Sequence, residues 1–422
     1  NDIVPGYRAL SDAFHAEGGR LLAQLAHSGG TVLINQPGLE SWAASPVRSE
    51  INGNIAHEMT LAEIHEVIDA HAEGAKRAAA GGMDGVEILG AFGFLPQAFL
   101  SPLTNHRTDK YGGALKNRLR FLMELLEAVR GALGRDHVLG VRLPGDEFEP
   151  GALDLEQMKI ICKQIADTGL IDYLNIIAHT NITHLGRSSH WAPTPTRHGI
   201  FVHLAGAIRE VVNLPVFTVG RIVDPAHAEH IIAHGQADMV GMTRAHICDP
   251  QILPKIRGQV PSNIRICVGA NVCIANRYGG KPIRCIQNPT VATPGVALSP
   301  TKASKKVSVI GAGPAGLECA RICAERGHAV QVFDAANRPG GQLALWASAP
   351  STGELARIVD WRLDELERLG VALILNRPMT RQNIVDLDAE VVVIATGALD
   401  TCRSFAGDGS MQVISAHELL CG

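Results

Sequence analysis

Short apolar runs alternate with amphipathic stretches over the first 260 residues. Continuous apolar strands separated by amphipathic helices are typical of a parallel sheet whose faces are covered by helices. One helix start is clearly marked, because Thr60 and Glu63 form a capping-box pattern ahead of an apolar-periodic segment. The apolar runs are Leu21–Leu25, Gly85–Leu89, Val138–Leu143, Tyr173–Ile177, Val216–Val219 and Met239–Met242.

These six strand–helix units predict most of a (β/α)8 TIM barrel, which has eight. The sequence begins without Met and within an element. We therefore expect that the first two barrel units precede this sequence. The predicted barrel domain covers residues 1–260.

The second half has the pattern of a dinucleotide-binding fold. Residues 289–306 are rich in Pro, Thr, Ser and Ala and predict a linker. A strand at Val307–Ile310 is followed by a G-x-G-x-x-G loop and a helix. Asp334 follows the next strand, at the sequence separation from the loop at which an acidic residue hydrogen-bonds a ribose hydroxyl. The loop glycines are Gly311, Gly313 and Gly316.

This pattern predicts a Rossmann-like domain over residues 306–422 that binds FAD or ADP. Residues 261–305 would form a cysteine segment and linker between the two domains. Because the sequence stops before any second G-x-G-x-x-G, we expect the second domain to be truncated at its C-terminus.

Composition limits the classes of function. The chain has 422 residues, 46% hydrophobic residues and a formal net charge of −4. The absence of a basic excess argues against nucleic acid, and no apolar run is long enough to span a membrane. The odd number of cysteines, nine in all, argues against a disulfide framework. A soluble cytoplasmic protein is the expectation.

Three cysteines cluster at the predicted domain junction. They are Cys267, Cys273 and Cys285, a spacing that favours an iron–sulfur cluster. Ala270 stands where a C-x-x-C-x-x-C pattern would place another thiolate, so the cluster would be incomplete. The alternatives are a zinc site, which usually needs four ligands, or buried structural cysteines.

Functional residues of a barrel follow the carboxyl ends of its strands. Arg142 lies in the third run and is a candidate cation beside a flavin, or else a satisfied barrel arginine. The last two runs are followed by glycines and arginines, a combination that suits a phosphate. For Arg244 the alternative is a surface salt bridge. The candidate phosphate ligands are Gly220, Arg221, Gly241 and Arg244.

Several motifs together resemble the old yellow enzyme family. The strongest is RTDKYGG at Arg107–Gly113, which we interpret as a structural brace. The chain is most similar to the multidomain branch with 2,4-dienoyl-CoA reductase, trimethylamine dehydrogenase and N-methyl amino acid demethylases. The other motifs are Gln24–His27, Asn117-Arg118, Arg120-Phe121, Val219–Arg221 and Arg244 with Asp249-Pro250.

The resemblance implies FMN at the barrel mouth, a [4Fe–4S] cluster, and FAD or ADP in the second domain. It implies that Gln24 and Arg142 hydrogen-bond the FMN ring, while Gly220, Arg221 and Arg244 hold its phosphate. The loop that contains Arg338 and Gln342 resembles the flavin-side loop of flavoproteins with two dinucleotide-binding domains.

The resemblance also suggests which chemistry is absent. Enone reducers of the family place hydrogen-bond donors after the second run, where this chain has Leu89, Phe92 and Phe94. We therefore predict oxidative N-demethylation of a methylated amine or amino acid. The candidate catalytic residues are His179 and His184, or else these are solvated loop histidines.

Two other functions stay open at this point: an NAD(P)H-dependent dienoyl-CoA or enoate reductase, and a non-catalytic flavin-binding protein. Candidate partners are a small-molecule substrate, NAD(P)H, an electron-transfer flavoprotein and a second copy of the chain.

Overall fold

The computed structural model describes residues 2–31, 40–51, 53–291, 298–398 and 419–420. The chain divides into two compact units. The first contains residues 1–192 and 196–242, and the second contains residues 193–195 and 243–422.

The first unit is organised around a six-stranded parallel sheet whose spatial order follows the chain. Sequential parallel strands joined through helices are the arrangement of a (β/α) barrel, so the predicted fold class is confirmed. The predicted strand limits differ from the observed ones by at most one residue. The strands are β1 (Leu22–Leu25), β4 (Gly85–Leu89), β5 (Val138–Pro144), β6 (Tyr173–Ile177), β7 (Val216–Val219) and β8 (Met239–Gly241), and two short paired strands, β2 (Trp42–Ala43) and β3 (His57–Glu58), lie in the first loop.

Amphipathic helices connect these strands. Helix α2 (Leu61–Ala80) shows the predicted capping box: Thr60 accepts from the Glu63 backbone N–H, and the Glu63 side chain accepts from the Thr60 N–H. Its buried residues, from Ile64 to Ala78, recur at helical spacing and face the core. The other helices of this unit are α1 (Val4–Ala16), α3 (Leu95–Leu100), α4 (Leu115–Leu133), α5 (Leu155–Asp167), α6 (His184–His190), α7 (Val202–Arg209) and α8 (Pro225–Ala233), with a 3₁₀ turn at Gly29–Thr31.

The second unit contains a four-stranded parallel sheet in the spatial order β11 (Ala372–Ile374), β10 (Ala329–Phe333), β9 (Lys306–Ile310) and β12 (Val391–Ile394). Helix α12 (Pro314–Glu325) follows β9 directly, and its residues Leu317 and Ala320 pack on the sheet in one apolar core. This arrangement confirms the predicted Rossmann-like fold.

Helices precede this sheet and connect its strands in the second unit. They are α9 (Thr243–Cys248), α10 (Ile252–Ile256), α11 (Val272–Tyr278), α12 (Pro314–Glu325), α13 (Gly341–Ala347), α14 (Arg357–Arg368) and α15 (Arg381–Val385), with a 3₁₀ turn at Gly353–Ala356. Within the described part of the chain, none of the helices is long and apolar enough to cross a membrane.

Candidate active site

A buried carboxylate joins three strands near the carboxyl face of the first sheet. Gln24 Nε2 donates to Glu87 Oε1 at 2.6 Å. Glu87 Oε2 accepts from the Tyr173 hydroxyl at 2.9 Å and from Asn175 Nδ2 at 2.8 Å. Strands β1, β4 and β6 are thereby fixed to one another by a single side chain that is 7% exposed.

A glycine on the intervening strand makes this network geometrically feasible. Gly140 on β5 is in register with Glu87 on one side and Tyr173 on the other. A Cβ at position 140 would lie 2.1 Å from the Tyr173 ring, so only glycine lets the ring cross β5 to reach Glu87. Burial, and then Glu87, raise the pKa of Tyr173, which keeps the phenol protonated as a donor.

Arg142 lies on β5 two residues after Gly140, closer to the carboxyl end of the strand, and is in register with Leu89 and Asn175. Its guanidinium carbon is 5.1 Å from the centroid of the Phe92 ring. Burial lowers the pKa of Arg142, and the neighbouring Glu87 opposes that shift. Its buried Nε has no hydrogen-bond partner among the described residues. Arg142 therefore has a spare donor for a ligand at this face.

Strained backbone marks the same face. Among the described non-glycine residues of the first unit, those with positive φ are Phe92 (64°), Phe148 (52°), His179 (69°) and Arg221 (55°). Each lies within four residues of the carboxyl end of a strand, after β4, β5, β6 and β7 respectively. Such backbone costs roughly 1–3 kcal/mol per residue and clusters at functional sites.

Aromatic rings form a wall at this face. The Phe92 ring lies 4.8 Å from His190 and 6.3 Å from Trp191, measured between centroids, and Phe94 lies edge-on to Phe92 at 6.2 Å. We call the residues Phe92, Phe94, His190 and Trp191 the aromatic wall. An apolar wall of this kind suits a ligand that carries methyl groups or a positive charge.

Buried polar contacts hold the loop that carries this wall. The Gly93 N–H donates to Gln97 Oε1 at 2.6 Å, and Gln97 Nε2 donates to Glu147 Oε1 at 2.5 Å. Glu147 is 1% exposed and also accepts from the Ser101 hydroxyl at 2.6 Å. Burial raises the pKa of Glu147, although these donors oppose the shift.

Three of the histidines near this face differ in environment. His184 is exposed and begins helix α6, where its backbone N–H donates to Glu50 Oε2 at 3.0 Å. His179 is partly buried between Phe148 and Phe201, and burial lowers its pKa. His190, which the sequence did not single out, is 2% exposed within the aromatic wall.

The hydrogen bonding of His190 defines its tautomer. Its Nδ1 lies 3.2 Å from the Gly186 carbonyl oxygen, so Nδ1 carries the proton and Nε2 is left as an acceptor. Nε2 is buried and has no partner within the described residues. Burial lowers the pKa of His190 to about 3, so the ring is neutral at physiological pH.

The predicted phosphate ligands are divided between the two units. Gly220 has a φ of 129°, and a Cβ there would lie 2.5 Å from Phe201. A Cβ at Gly241 would lie 2.4 Å from a Val219 methyl carbon. Arg221 is buried and its Nη1 donates to the Thr196 carbonyl. In the second unit, Arg244 Nη1 donates to Asn271 Oδ1 at 2.5 Å. Their roles toward a phosphate stay a prediction.

The RTDKYGG segment is a brace, as the sequence suggested. Arg107 is buried, and its Nη1 donates to the carbonyls of Ala44 and Met59 at 3.2 and 2.7 Å. Its Nε and Nη2 donate to Asp109 at 3.1 and 2.6 Å. The loop that contains β2 and β3 is thereby tied to the start of helix α4.

The three clustered cysteines line one cavity of the second unit together with Ala270, Arg244 and Gln287. We call Cys267, Cys273 and Cys285 the cysteine cradle. The Cys285 sulfur accepts the backbone N–H of Gln287 at 3.4 Å. Donors of this kind stabilise thiolates and cluster sulfurs. Burial nevertheless raises the pKa of Cys267 and Cys273.

A fourth cysteine, Cys248, adjoins the cradle. It is fully buried at the end of α9, and its sulfur accepts a hydrogen bond from Gln287 Nε2 at 3.4 Å. The neighbouring Cys248 thiol lowers the pKa of Cys285 to about 6, although burial opposes this shift, and Cys285 together with burial raises the pKa of Cys248. Among the described residues, no group of three or more Cys, His, Asp or Glu side chains converges at the spacing of a single metal ion.

The glycine-rich loop of the second unit has the tight packing expected of its motif. A Cβ at Gly316 would lie 1.9 Å from the Gly311 carbonyl oxygen. At Gly313, by contrast, no described atom lies within 4 Å of the added carbon, which leaves the loop open on the side that a pyrophosphate would approach.

Asp334 and the following loop complete this region. The Asp334 carboxylate accepts the backbone N–H groups of Ala312 at 2.5 Å and of Ala336 at 2.8 Å, so it braces the glycine loop directly. Arg338 is exposed, and the exposed Gln342 donates from Nε2 to the Ala398 carbonyl at 2.9 Å. The nucleotide roles of these three residues stay predictions.

Sequence reasoning missed Glu87, Tyr173, His190 and Cys248. Glu87 had a detectable signal, because a charged residue in the middle of an otherwise apolar buried strand must be paired. No local pattern distinguishes His190 or Cys248, since their neighbours come from other segments.

The fold and the site together define an α/β barrel protein with a second, dinucleotide-binding unit. We call the polar face at the carboxyl ends of the barrel strands the strand-end face. The sequence pattern of the NADH:flavin oxidoreductase / NADH oxidase family matches residues 1–263, and that of an NAD(P)-binding Rossmann-like domain matches residues 309–362. The chain belongs to the NADH:flavin oxidoreductase / NADH oxidase family.

Two curated relatives are similar over nearly the whole chain. The N,N-dimethylglycine/sarcosine dehydrogenase of Chromohalobacter salexigens is 38% identical over 408 residues, which are 94% of this chain and 58% of that protein. A Rhizobium meliloti protein named "Probable N-methylproline demethylase" is 39% identical over 426 residues, 100% of this chain and 62% of that protein. The chain spans about three fifths of the length of these relatives.

Among solved structures, a 2-naphthoyl-CoA reductase in complex with 2-naphthoyl-CoA is 31% identical with a TM-score of 0.92. The match covers 99% of this chain and 65% of that one. The similar proteins therefore include one named as a dehydrogenase of methylated amino acids, one named as a probable demethylase and one named as a CoA-ester reductase.

Proposed function

We propose that this chain contains the catalytic barrel of an FMN-dependent oxidoreductase that removes methyl groups from secondary or tertiary amines by oxidation. The observation that carries the proposal is the aromatic wall. Leu89, Phe92 and Phe94 occupy the positions from which the family's reductases donate hydrogen bonds. The relatives named N,N-dimethylglycine/sarcosine dehydrogenase and probable N-methylproline demethylase support the same chemistry.

The residues of the strand-end face fit FMN. Gln24 uses one N–H on Glu87, which leaves its carbonyl oxygen and a second N–H for the edge of a flavin ring. The spare buried Nε of Arg142 suits a carbonyl or an anionic ring on the same edge. Bound FMN supplies the hydride-accepting chemistry.

Charge decides between the two reactions. Enone reduction places negative charge on a carbonyl oxygen, and losing one donor to that oxygen typically costs roughly a hundredfold or more in rate. Leu89, Phe92 and Phe94 cannot supply such a donor. Amine oxidation yields an iminium cation instead, and aromatic faces such as Phe92 and Trp191 stabilise a cation by roughly 0.5–2 kcal/mol.

We assign His190 to the amine nitrogen. Its Nε2 is an acceptor inside the aromatic wall, so a substrate N–H or protonated amine would satisfy it. A ring whose pKa is about 3 stays neutral beside a cation and adds no repulsion. His179 remains the candidate for proton transfer, because it is partly accessible, whereas the exposed His184 has a backbone contact with Glu50.

We further propose that the cysteine cradle holds an iron–sulfur cluster and that the glycine loop at Gly311–Gly316 binds FAD or ADP. The three thiols fit a cluster, whose ligands sit on separate irons and need not converge on one atom. Such a cluster would carry single electrons away from a flavin. NAD(P)H, an electron-transfer flavoprotein and a second copy of the chain remain candidate partners.

The direct test is anaerobic reduction of the flavin in the full-length protein. We expect dimethylglycine, sarcosine or N-methylproline to bleach the flavin absorbance, with formaldehyde released in stoichiometric amount. Failure of every methylated amine to bleach a fully loaded protein would overturn the demethylase assignment.

Phe92→Leu provides the residue-level test. Because it removes a ring face but keeps an apolar side chain, we expect kcat/KM for the amine to fall about tenfold, while FMN content is unchanged. The matched control is Phe14→Leu on α1, where the ring is 46% exposed and far from this face in sequence and fold. If Phe92→Leu and Phe14→Leu lowered kcat/KM equally, Phe92 would not be part of the substrate site.

Reduction of an activated alkene, as in a dienoyl-CoA or enoate reductase, is the second candidate, and the similarity to 2-naphthoyl-CoA reductase favours it. It predicts NAD(P)H-dependent turnover of an aromatic or dienoyl thioester by the unmodified protein. Phe94→Tyr, which adds a hydroxyl donor to the wall, would then leave that rate nearly unchanged. If the aromatic wall lacks the hydrogen-bond donor that this reduction needs, as we propose, the unmodified protein turns over the thioester very slowly and Phe94→Tyr raises that rate.

A further inference from the structure

The cysteine cradle lacks one side chain for a four-iron cluster. Cys267, Cys273 and Cys285 line the cavity, and Ala270, the residue between the first two in the cavity wall, is exposed and has no ligating atom. A four-iron cluster is usually held by four thiolates. A three-thiolate site would leave one iron without a protein sulfur.

Cys248 brings a fourth thiol to this place from a different element. It ends helix α9, nineteen residues before Cys267 in the sequence, and it is fully buried. Its sulfur and the Cys285 sulfur both accept hydrogen bonds from Gln287, so Cys248 lies beside the cradle, behind the residues that line the cavity, although it is outside the cysteine motif.

One residue binds both sulfurs. The backbone N–H of Gln287 donates to Cys285 Sγ at 3.4 Å, and its side-chain Nε2 donates to Cys248 Sγ at 3.4 Å. Gln287 is itself fixed, because its carbonyl oxygen accepts from Arg265 at 2.6 Å and from Arg362 at 3.3 Å. Cys248 and Cys285 therefore share one rigid N–H···S scaffold, which is the environment of ligating sulfurs.

An ordinary buried cysteine looks different. Cys162 is equally buried, in the apolar core of the first unit among aliphatic side chains of helix α5 and its neighbours. Simple packing explains Cys162. It does not explain a sulfur that adjoins a second sulfur and receives an amide N–H.

We infer that Cys248 is the fourth thiolate ligand of an iron–sulfur cluster in this protein, taking the place of the side chain absent at Ala270. This inference rests on the cluster part of the proposed function and is independent of the substrate. The ligand set is then Cys248, Cys267, Cys273 and Cys285, with Gln287 as the residue that positions two of the four sulfurs.

The experiment is iron and sulfide analysis with EPR on the anaerobically purified full-length protein and its variants. We expect about four irons per chain in the unmodified protein and about three in Cys248→Ala, which should show the EPR signal of an oxidised three-iron cluster. Cys162→Ala is the matched control and should keep the full iron content. FMN content in each sample reports whether the barrel is folded.

A ligand exchange makes the test specific. In the double variant Cys248→Ala/Ala270→Cys, the second cysteine of the motif is supplied, and we expect the iron content to return to about four. This rescue would not occur if Cys248→Ala acted by disturbing the packing of α9.

Three outcomes would overturn the assignment. One is full iron content in Cys248→Ala. Another is about three irons in the unmodified protein, raised to four by Ala270→Cys alone. The third, no iron in any FMN-loaded preparation, would overturn the cluster of the proposed function as well, whereas the first two leave that cluster in place.

Discussion

The strand-end face of the barrel unit and the cysteine cradle of the second unit are built by opposite means. At the strand-end face, Gln24, Glu87 and Tyr173 come from three strands separated by up to 149 residues and meet on one carboxylate. In the cradle, the three sulfurs come from one short segment, residues 267–285, and the Cys285 sulfur accepts the backbone N–H of Gln287, two residues further along the chain.

Because of this difference, substitutions in the two regions should affect stability and ligand binding differently. A change at the hub of the strand-end face breaks contacts between strands and should therefore lower the stability of the whole unit. A change at one cradle cysteine removes a ligand but leaves the local backbone bonds in place. The cradle can therefore lose or gain a ligand, as at Ala270, without loss of the fold.

The largest effect should follow substitution of the hub itself. Glu87→Ala leaves the buried Tyr173 hydroxyl, the half-buried Asn175 amide and the more exposed Gln24 amide without their acceptor, so we expect the free energy of unfolding to fall by about 3 kcal/mol. Urea denaturation of the FMN-free protein measures it. Tyr173→Phe removes only one donor and should cost about 1 kcal/mol. A similar loss in both variants would show that Glu87 is not the hub.

The glycine loop of the second unit allows a test of intermediate size. A methyl group at Gly316 would contact the Gly311 carbonyl at 1.9 Å, so Gly316→Ala should destabilise the unit by about 1–3 kcal/mol. Gly313→Ala has room for its methyl group and should leave the melting temperature unchanged while weakening FAD or ADP binding. The reverse order of stability would contradict the packing described here.

The buried histidine of the aromatic wall predicts a pH dependence. The pKa of His190 is about 3 in the folded protein and about 6.5 in the unfolded chain. Below about pH 6.5 the unfolded chain therefore binds a proton at His190 that the folded chain does not bind. The free energy of unfolding should consequently fall by roughly 2 kcal/mol between pH 7 and pH 5 from this group alone. His190→Gln should remove that share of the slope.

The control for this measurement is His184→Gln, at an exposed position on the same helix. Its pH profile of stability should match that of the unmodified protein. An unchanged slope in His190→Gln would mean that the His190 ring is hydrated in solution and takes up its proton normally.

The smallest effect is expected in the cradle. Cys273→Ser keeps the backbone geometry of α11 and should change the metal-free stability by less than about 0.5 kcal/mol, as is usual away from the core. The same variant should lose iron. A large loss of stability in the metal-free protein would show that the cradle, like the strand-end face, is part of the structural core.

The sequence alone was sufficient for the fold and for every feature that depends on local pattern. Apolar runs of the right length and spacing predicted all six barrel strands within one residue, because a strand buried on both faces must be apolar throughout. The capping box at Thr60 and the glycine loop at Gly311–Gly316 were equally readable, since each is a contact between residues only a few positions apart.

Only the tertiary structure revealed the Glu87 hub, the role of Gly140, the acceptor nitrogen of His190 and the place of Cys248. Each depends on side chains from elements that are distant in the sequence, and on which strand or helix lies beside which. The strand register places Gly140 between Glu87 and Tyr173. Helix α9 brings Cys248 close to the cysteine cradle, although Cys248 lies outside the segment that contains the other three cysteines. Hydrogen bonds and burial are properties of these juxtapositions, so no local pattern of residues encodes them.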